Sequence, residues 1–481
     1  MESVQISPEQ EAVLQQLILA TSVLFFLFMA WLTWLQVKVW QKNPELISQQ
    51  KDLRQSVIIM AIAIGMVTLG VYCAELRFEE WPMAVGLALG LACAFVSPVS
   101  AFAFFLSLII LRPWEIFHAN DLMAALPRAS AILVLVVLLM RFIREKTIKF
   151  FWSRECSLLV LFIFWTWISG TQSSDPKASL DSFLDMMVRA GVVFFLVVNI
   201  IQKKEDGEFI QKVLVGGVLC LLALAIFFNH LSGTDDPGQR LAFVGMMGDP
   251  NDISAFGIMA LPFALAPFWR SKSNNSGDWI LTIIYSLVFL TVLITAQSRG
   301  AILSTALFIG MVFMHSAKWS RKSVLIGIIT VVVALPFFQL FSSRESGDMA
   351  ESQTNRMIFW KTAVRMAVKH PIMGIGFDDF PNQFDHYVVD NSGSESGKRT
   401  AHSAWLLVLA ENGFVGLALF FGLFLTSLLR AVRMRQEKPE FLFAMASYGM
   451  AMTFLSHSYL MFPYLLFSLT TASFFIQQKK S

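Results

Sequence analysis

Apolar runs follow one another from end to end of this 481-residue chain, and that succession leaves few folds open. A helix needs about 20 apolar residues to span hydrocarbon, and fewer where it is packed inside a bundle. On that rule candidate spans lie near 15–36, 55–74, 82–97, 99–112, 128–142, 155–170, 186–202, 211–230, 251–269, 279–297, 299–316, 323–341, 404–430, 440–457 and 460–476. With 56% hydrophobic and only 15% charged residues, the composition is that of an integral membrane protein and excludes a large soluble enzyme. The fold expected is all-α, a polytopic transmembrane bundle of about 12–15 helices. Residues 1–481 then form one integral membrane domain, with one long extracytoplasmic loop at 343–401 that contains short amphipathic helices.

A net charge of +3 gives no argument for a nucleic-acid partner, because in such a chain the distribution of Lys and Arg between the two sides matters more than their sum. Cys73, Cys93, Cys156 and Cys220 fall in or beside apolar runs without ligand spacing, so neither a disulfide framework nor a zinc site is expected. The start of the chain carries Glu2, Glu9 and Glu11 and no basic residue, which points to an uncleaved helix and not a secretory signal.

Short cytoplasmic connectors collect Lys and Arg. With the N-terminus outside, the inward connectors fall at 38–54, 141–154, 203–212, 270–272, 318–322, 430–438 and 479–480, with a tight turn near Pro98, and all except that turn are basic. The 343–401 loop is then extracytoplasmic. The run 404–430 is long enough to break at Glu411-Asn412-Gly413, but only one crossing fits this parity. His402 and the short helix after it therefore belong at the outer surface, with the span from Gly413 to Leu429.

Outward-facing polar clusters are the candidates for function. Arg240 precedes Gly248-Asp249-Pro250-Asn251-Asp252, where Pro250 can start a helix and Asp249 or Asn251 can cap it. Ser298-Arg299-Gly300 is a tight turn whose Arg lies where the orienting rule asks for none; snorkelling to lipid phosphates is the alternative. Arg112-Pro113-Trp114-Glu115 suits an interfacial anchor. At 100° per residue Arg356 shares a face with Trp360, Ala363 and Ala367, while Lys361, Arg365 and Lys369 fall near the opposite, solvated or headgroup-contacting face. An inward guanidinium needs an anionic partner, either a substrate or a structural carboxylate. His402 stands where the loop re-enters the membrane, and imidazole can accept a hydroxyl proton near working pH. The other histidines, at 118, 230, 315, 370, 386 and 457, lack a distinctive context and are expected to be interfacial or packed. Asp378-Asp379 follows a glycine turn and is expected on the loop surface, not at a metal.

Taken in order, an outward Arg before a Pro-Asn helix start, Ser-Arg-Gly, Arg-x-x-x-Trp, Pro-x-x-Gly-x-Gly, His-Ser and Glu-Asn-Gly over residues 230–430 resemble the O-antigen ligase and O-antigen polymerase superfamily of bacterial membranes. The upstream Arg112-Pro113 is similar to O-glycosylation-ligase-like members linked to exopolysaccharide export. The chain has His402-Ser403 where family members commonly have His-Asn, and more spans than the usual twelve or so. The resemblance implies a metal-independent, inverting membrane glycosyltransferase without a cofactor. It would move a glycan from an undecaprenyl-diphosphate carrier to a hydroxyl of lipid A core, protein or another glycan. The chain would sit, surrounded by membrane lipids, in the bacterial inner membrane with its active site facing the periplasm.

Arg binds a diphosphate bidentately and neutralises it as a leaving group, so the resemblance makes Arg299 and Arg356 catalytic with Arg240 completing a clamp. His402 would be the base, and Arg240, Asp249, Asn251, Trp360 and Glu411 would bind substrate. Three alternatives stay open: a polymerase joining lipid-linked repeat units, a transporter, and a non-catalytic export subunit. The spans 279–297 and 323–341 carry no charge, and transport sites usually sit near the midplane, which disfavours transport.

Overall fold

The computed structural model describes residues 8–41, 81–94, 97–116, 121–145, 150–231, 240–241, 248–269, 276–316, 346–388 and 400–479. The expected spans 55–74 and 323–341, and the loop segment 389–399, lie outside the described residues. Among the described residues every regular element is helical, so the chain is an all-α, polytopic membrane protein. In chain order the helices of eight residues or more are α1 (Pro8–Gln41), α2 (Trp81–Ala94), α3 (Pro98–Leu111), α4 (Asp121–Glu145), α5 (Arg154–Gly170), α6 (Pro176–Ile200), α7 (Lys204–Leu231) and α8 (Pro250–Ala264). There follow α9 (Ser276–Ala296), α10 (Arg299–Ser316), α11 (Ser346–Lys369), α12 (Phe380–Tyr387), α13 (Ala404–Met434), α14 (Pro439–Met452) and α15 (Met461–Gln478). Among the described residues seven helices are long and apolar enough to cross a membrane, namely those covering 15–36, 98–115, 176–200, 204–231, 250–268, 276–296 and 404–434.

The chain divides into two compact units, residues 1–149, 203–253 and 281–296, and residues 150–202, 254–280 and 297–481. In the first, α1 packs on α2 and α7, and α3 packs on α2, α4 and α7. Side chains on the α7 face that carries Gly216 and Gly217 would strike Phe28 and Trp31 of α1 and Ile110 of α3. Small residues let membrane helices approach where no hydrophobic force draws them together.

The second unit is built around α13, which packs on α5, α11, α14 and α15. Its inner face, Gly416, Phe420, Leu423, Ser427, Ala431 and Met434, is buried at the three- and four-residue spacing of one helix side. Phe414, Phe421, Leu425 and Leu429 on the other side are exposed, as a lipid-facing stripe must be. Near its end Arg430 forms an ion pair with the buried Glu155 of α5 and lies over the rings of Phe474 and Phe475 of α15, at 4.8 and 4.4 Å. Removing one partner of a buried pair costs about 3–5 kcal/mol, so this contact fixes three helices at one end. The start of α6 is set by Asp175, whose Oδ1 accepts the amides of Lys177 and Ala178 with Pro176 in the first turn, as an N-cap should.

The 343–401 segment differs from its expected form. Its main helix, α11, runs 24 residues from Ser346, well before Arg356, where the amphipathic pattern of the sequence begins. The residues Glu351-Ser352-Gln353-Thr354 have no apolar period to announce the earlier start.

Candidate functional site

Gly413 takes φ 67° and ψ −170° inside α13, which breaks the helix ladder and frees backbone groups that hydrocarbon cannot satisfy. The Pro371–Phe377 loop satisfies them. The Ala410 carbonyl accepts Ile375 N–H at 3.0 Å and the Glu411 carbonyl accepts Gly376 N–H at 3.2 Å. The Phe414 amide donates to the Pro371 carbonyl at 2.8 Å. From α5, Trp165 Nε1 donates to the Asn412 carbonyl at 2.9 Å, and Ser169 Oγ lies 2.6 Å from the Glu411 carbonyl. Pro-x-x-Gly-x-Gly and Glu-Asn-Gly are thus one object. Gly374 has φ 74°, and a Cβ there would lie 2.3 Å from the Glu411 carbonyl; on Gly413 it would meet the Ile372 oxygen at the same distance.

Glu411 is 2% exposed. Its Oε1 accepts the Phe380 amide at 3.2 Å, which ties α12 to the break, and its Oε2 is buried without a hydrogen bond. Asn412 Nδ2 donates to Tyr459 Oη at 2.7 Å. Burial first, and then the Glu411 carboxylate, push the Tyr459 phenol well above its ordinary value, so its hydroxyl stays protonated.

Three motif-bearing segments converge on the turn between α14 and α15. A Cβ on Gly300 would lie 3.3 Å from Phe454 Cβ. The Trp360 ring lies 6.3 Å from that of Phe454. Thr400 Oγ1 is 2.7 Å from Ser456 Oγ, two residues before His402, whose ring packs on Phe359 at 5.4 Å. The Ser298-Arg299-Gly300 turn, the Arg356–Trp360 turn of α11 and the entry to α13 therefore share one neighbour. Sequence reasoning missed this turn, although the polar run Ser456-His457-Ser458-Tyr459 between two apolar helices was a signal. His457, expected as a packed residue, is buried, receives or donates a bond with Tyr448 Oη at 2.9 Å, and stacks on Phe256.

Local chemistry sets each side chain. Ser298 Oγ accepts the Ala301 amide at 3.4 Å and its carbonyl accepts Ile302 N–H, so Arg299 occupies the first turn of α10. A cation there opposes the positive end of the helix dipole; the combination suits an anionic ligand. His402 (φ 46°) and Gln297 (φ 49°), each just before a cap, have left-handed backbones, a conformation that costs energy and gathers at functional sites. Ser403 Oγ accepts the Leu406 amide and caps α13. Ser and Asn rank alike as caps, so His-Ser keeps the helix start that His-Asn would give.

On α11 the sequence-derived faces hold. Ala363, Met366 and Ala367 are buried, Arg356 and Trp360 are half-buried, and Lys361, Arg365 and Lys369 are exposed. The Trp360 Nε1 is buried without a hydrogen bond.

Arg240, Asp249 and Asn251 form a network within the first unit. Arg240 Nε donates to the Ala296 carbonyl at 3.0 Å, and Nη2 to Asn251 Oδ1 at 2.9 Å. Asp249 Oδ1 accepts both the amide and the Nδ2 of Asn251 at 2.7 Å, so Asp249 is the cap of α8. Arg112 pairs with Glu115 and lies 5.3 Å from the Trp114 ring.

Asp378-Asp379 is not loop surface. Asp379 is 0% exposed; its oxygens accept Ser174 N–H at 2.8 Å, Ser174 Oγ at 2.6 Å and Asn382 Nδ2 at 2.9 Å. Asp378 accepts a bond from Ser182 Oγ. The reason is that Ser174 of the α5–α6 turn and Ser182 of α6, far off in sequence, supply donors to Asp379 and Asp378. Among the described residues no group of three His, Cys, Asp or Glu is arranged to hold a metal ion.

Residues 284–421 match a family model described as O-antigen ligase. No curated protein sequence matches the chain.

Proposed function

From membership of the O-antigen ligase superfamily, which carries a lipid-linked glycan transfer of the ligase type, we propose that the protein moves a glycan from an undecaprenyl-diphosphate carrier to an acceptor hydroxyl at the periplasmic face of the bacterial inner membrane. What supports this is the convergence of the Arg299, Arg356 and His402 segments on Phe454 and Ser456. Arg299 and Arg356 bind the diphosphate, and their charge stabilises it as the sugar–phosphate bond breaks. His402 takes the proton of the acceptor hydroxyl as its oxygen attacks the anomeric carbon from the side opposite the diphosphate, so the configuration inverts. Trp360 is a wall against which the first sugar packs, and Glu411 holds the α12 start and the break in α13 in place. In the first unit, Arg240, oriented by Asn251 and Asp249, is a second anion-binding element. No metal is needed where guanidinium groups serve the leaving group.

The test is transfer by full-length protein in vesicles, with an undecaprenyl-diphosphate-linked glycan and lipid A core as acceptor. The expected product is glycan covalently joined to the acceptor. Products built only from donor units would indicate a polymerase, and movement of intact donor across the bilayer without a new bond would overturn the proposal. Single cysteines at His386 and Gln436, both exposed, give the sidedness: an impermeant reagent should reach the first and not the second from the periplasmic side.

A further inference from the structure

The outer side of α11 is not an ordinary aqueous surface, and no described residue covers it. Met357, Val364 and Val368 are exposed, Val368 by 67%, and at 100° per residue they fall within about 40° of one another. Lys361, Arg365 and Lys369 run along one flank of that stripe, all exposed. No acidic residue lies between Asn355 and Ile372. A contiguous apolar strip with a charged rim marks an interaction surface.

Two features indicate the occupant. The strip continues through Ile372, 63% exposed, to the Phe414 amide that donates to Pro371, and from Phe414 down the lipid-facing side of α13 through Phe421, Leu425 and Leu429. On α11 itself the flank carries cations alone, and it ends in an aromatic: Arg365 Nη1 donates to the Tyr387 carbonyl at 3.4 Å, the Lys369 ammonium lies 5.0 Å from the Tyr387 ring, and His370 Nε2 is 2.7 Å from its hydroxyl. Tyr with Lys and Arg is the chemistry of the membrane–water interface.

We infer that α11 lies on the leaflet beside α13 as an interfacial amphipathic helix, with Met357, Val364, Val368 and Ile372 dipping into the acyl boundary and Lys361, Arg365 and Lys369 binding the phosphates of anionic lipids. Arg356 and Trp360 stand on the other flank of the strip, about 100° and 60° round the helix from Met357, so lipid contact would fix the height at which those residues stand above the bilayer. The contact needs neither donor nor acceptor, and its test is therefore independent of the transfer reaction.

A nitroxide attached at Val368→Cys in the full-length protein reports depth through its collisions with oxygen and with a water-soluble nickel complex, corrected for the signal of labelled wild type. In phosphatidylcholine vesicles containing phosphatidylglycerol the label should lie about 5–10 Å into the interface. It should rise toward water in phosphatidylcholine alone, on adding salt, which screens such attraction, and in the Lys361→Gln, Arg365→Gln, Lys369→Gln variant. The salt arm needs no substitution beyond the labelled Val368→Cys and decides the matter if that variant does not insert. A label reached equally well by nickel in both vesicles and at every salt concentration would overturn the inference. So would spin–spin broadening that grows with the protein-to-lipid ratio, which would assign the surface to a second copy of the chain.

Discussion

The Phe414 amide donates to the Pro371 carbonyl at 2.8 Å, across the break that Gly413 makes in α13. That bond closes a backbone knot in which a loop replaces one missing turn of a membrane helix. The apolar body of α13 lies below the knot, and the α11–α12 segment stands on it.

The glycines of the knot should tolerate no side chain. A non-glycine residue in a left-handed conformation costs roughly 1–2 kcal/mol, and at Gly374 and Gly413 a Cβ would also lie 2.3 Å from a carbonyl oxygen. Gly374→Ala and Gly413→Ala are expected to lower the yield of monodisperse protein and its thermal midpoint in detergent. Gly422→Ala, where the nearest atom would be at 3.8 Å, should leave both unchanged. Equal behaviour of the three variants would remove the knot from the account of stability.

Asp379 gives a prediction that bears on metals. Its oxygens hold Ser174 and Asn382, and hydrogen bonds to a charged group are worth about 1.5–3 kcal/mol each. Asp379→Asn turns one acceptor into a donor facing the Ser174 amide or hydroxyl, so the midpoint should fall, whatever ions are present. Transfer by the wild type should continue in EDTA. Activity lost in EDTA and restored by magnesium or manganese would instead make Asp378 and Asp379 ligands.

His402→Ala should slow transfer while donor binding stays near the wild-type level, since general-base assistance is typically worth about 10²–10⁴-fold in rate. Phe359→Ala, which removes the ring that packs on the imidazole and on Phe384 but leaves the base in place, should cost less. A well-folded His402→Ala protein that transfers at the full rate would make this residue structural.

Much of this was legible beforehand, and what was not has identifiable reasons. Apolar length gave the helices, and 100° stepping gave the faces of α11, because both are side-chain patterns. The union of Pro371–Gly376 with Glu411–Gly413 is made of backbone groups, which leave no residue-type signature at either end. Phe454 draws together Gly300 and Trp360 yet reads in sequence as one more aromatic in an apolar run. Asp379 looked exposed because Ser174, whose amide and hydroxyl both donate to it, comes from a connector some two hundred residues earlier.

Arg356 is where charge and geometry separate most cleanly. It shares the inner side of α11 with Trp360, Ala363 and Ala367, whereas Lys361, Arg365 and Lys369 are exposed on the other. A purely electrostatic role for the helix would treat all four cations alike. A diphosphate clamp requires the planar fork of a guanidinium, which lysine cannot supply although it keeps the charge. With about 1.5–3 kcal/mol at stake per hydrogen bond to a charged group, Arg356→Lys should lose roughly tenfold or more in transfer. Lys361→Ala, Arg365→Ala and Lys369→Ala, assayed singly in detergent, should stay close to wild type. The assay must be made at matched abundance of folded protein, because loss of a structural ion pair would lower yield and leave the rate per molecule intact. Full transfer by Arg356→Lys, or equal failure of the three outer variants, would break the link between the inner arginine and the donor.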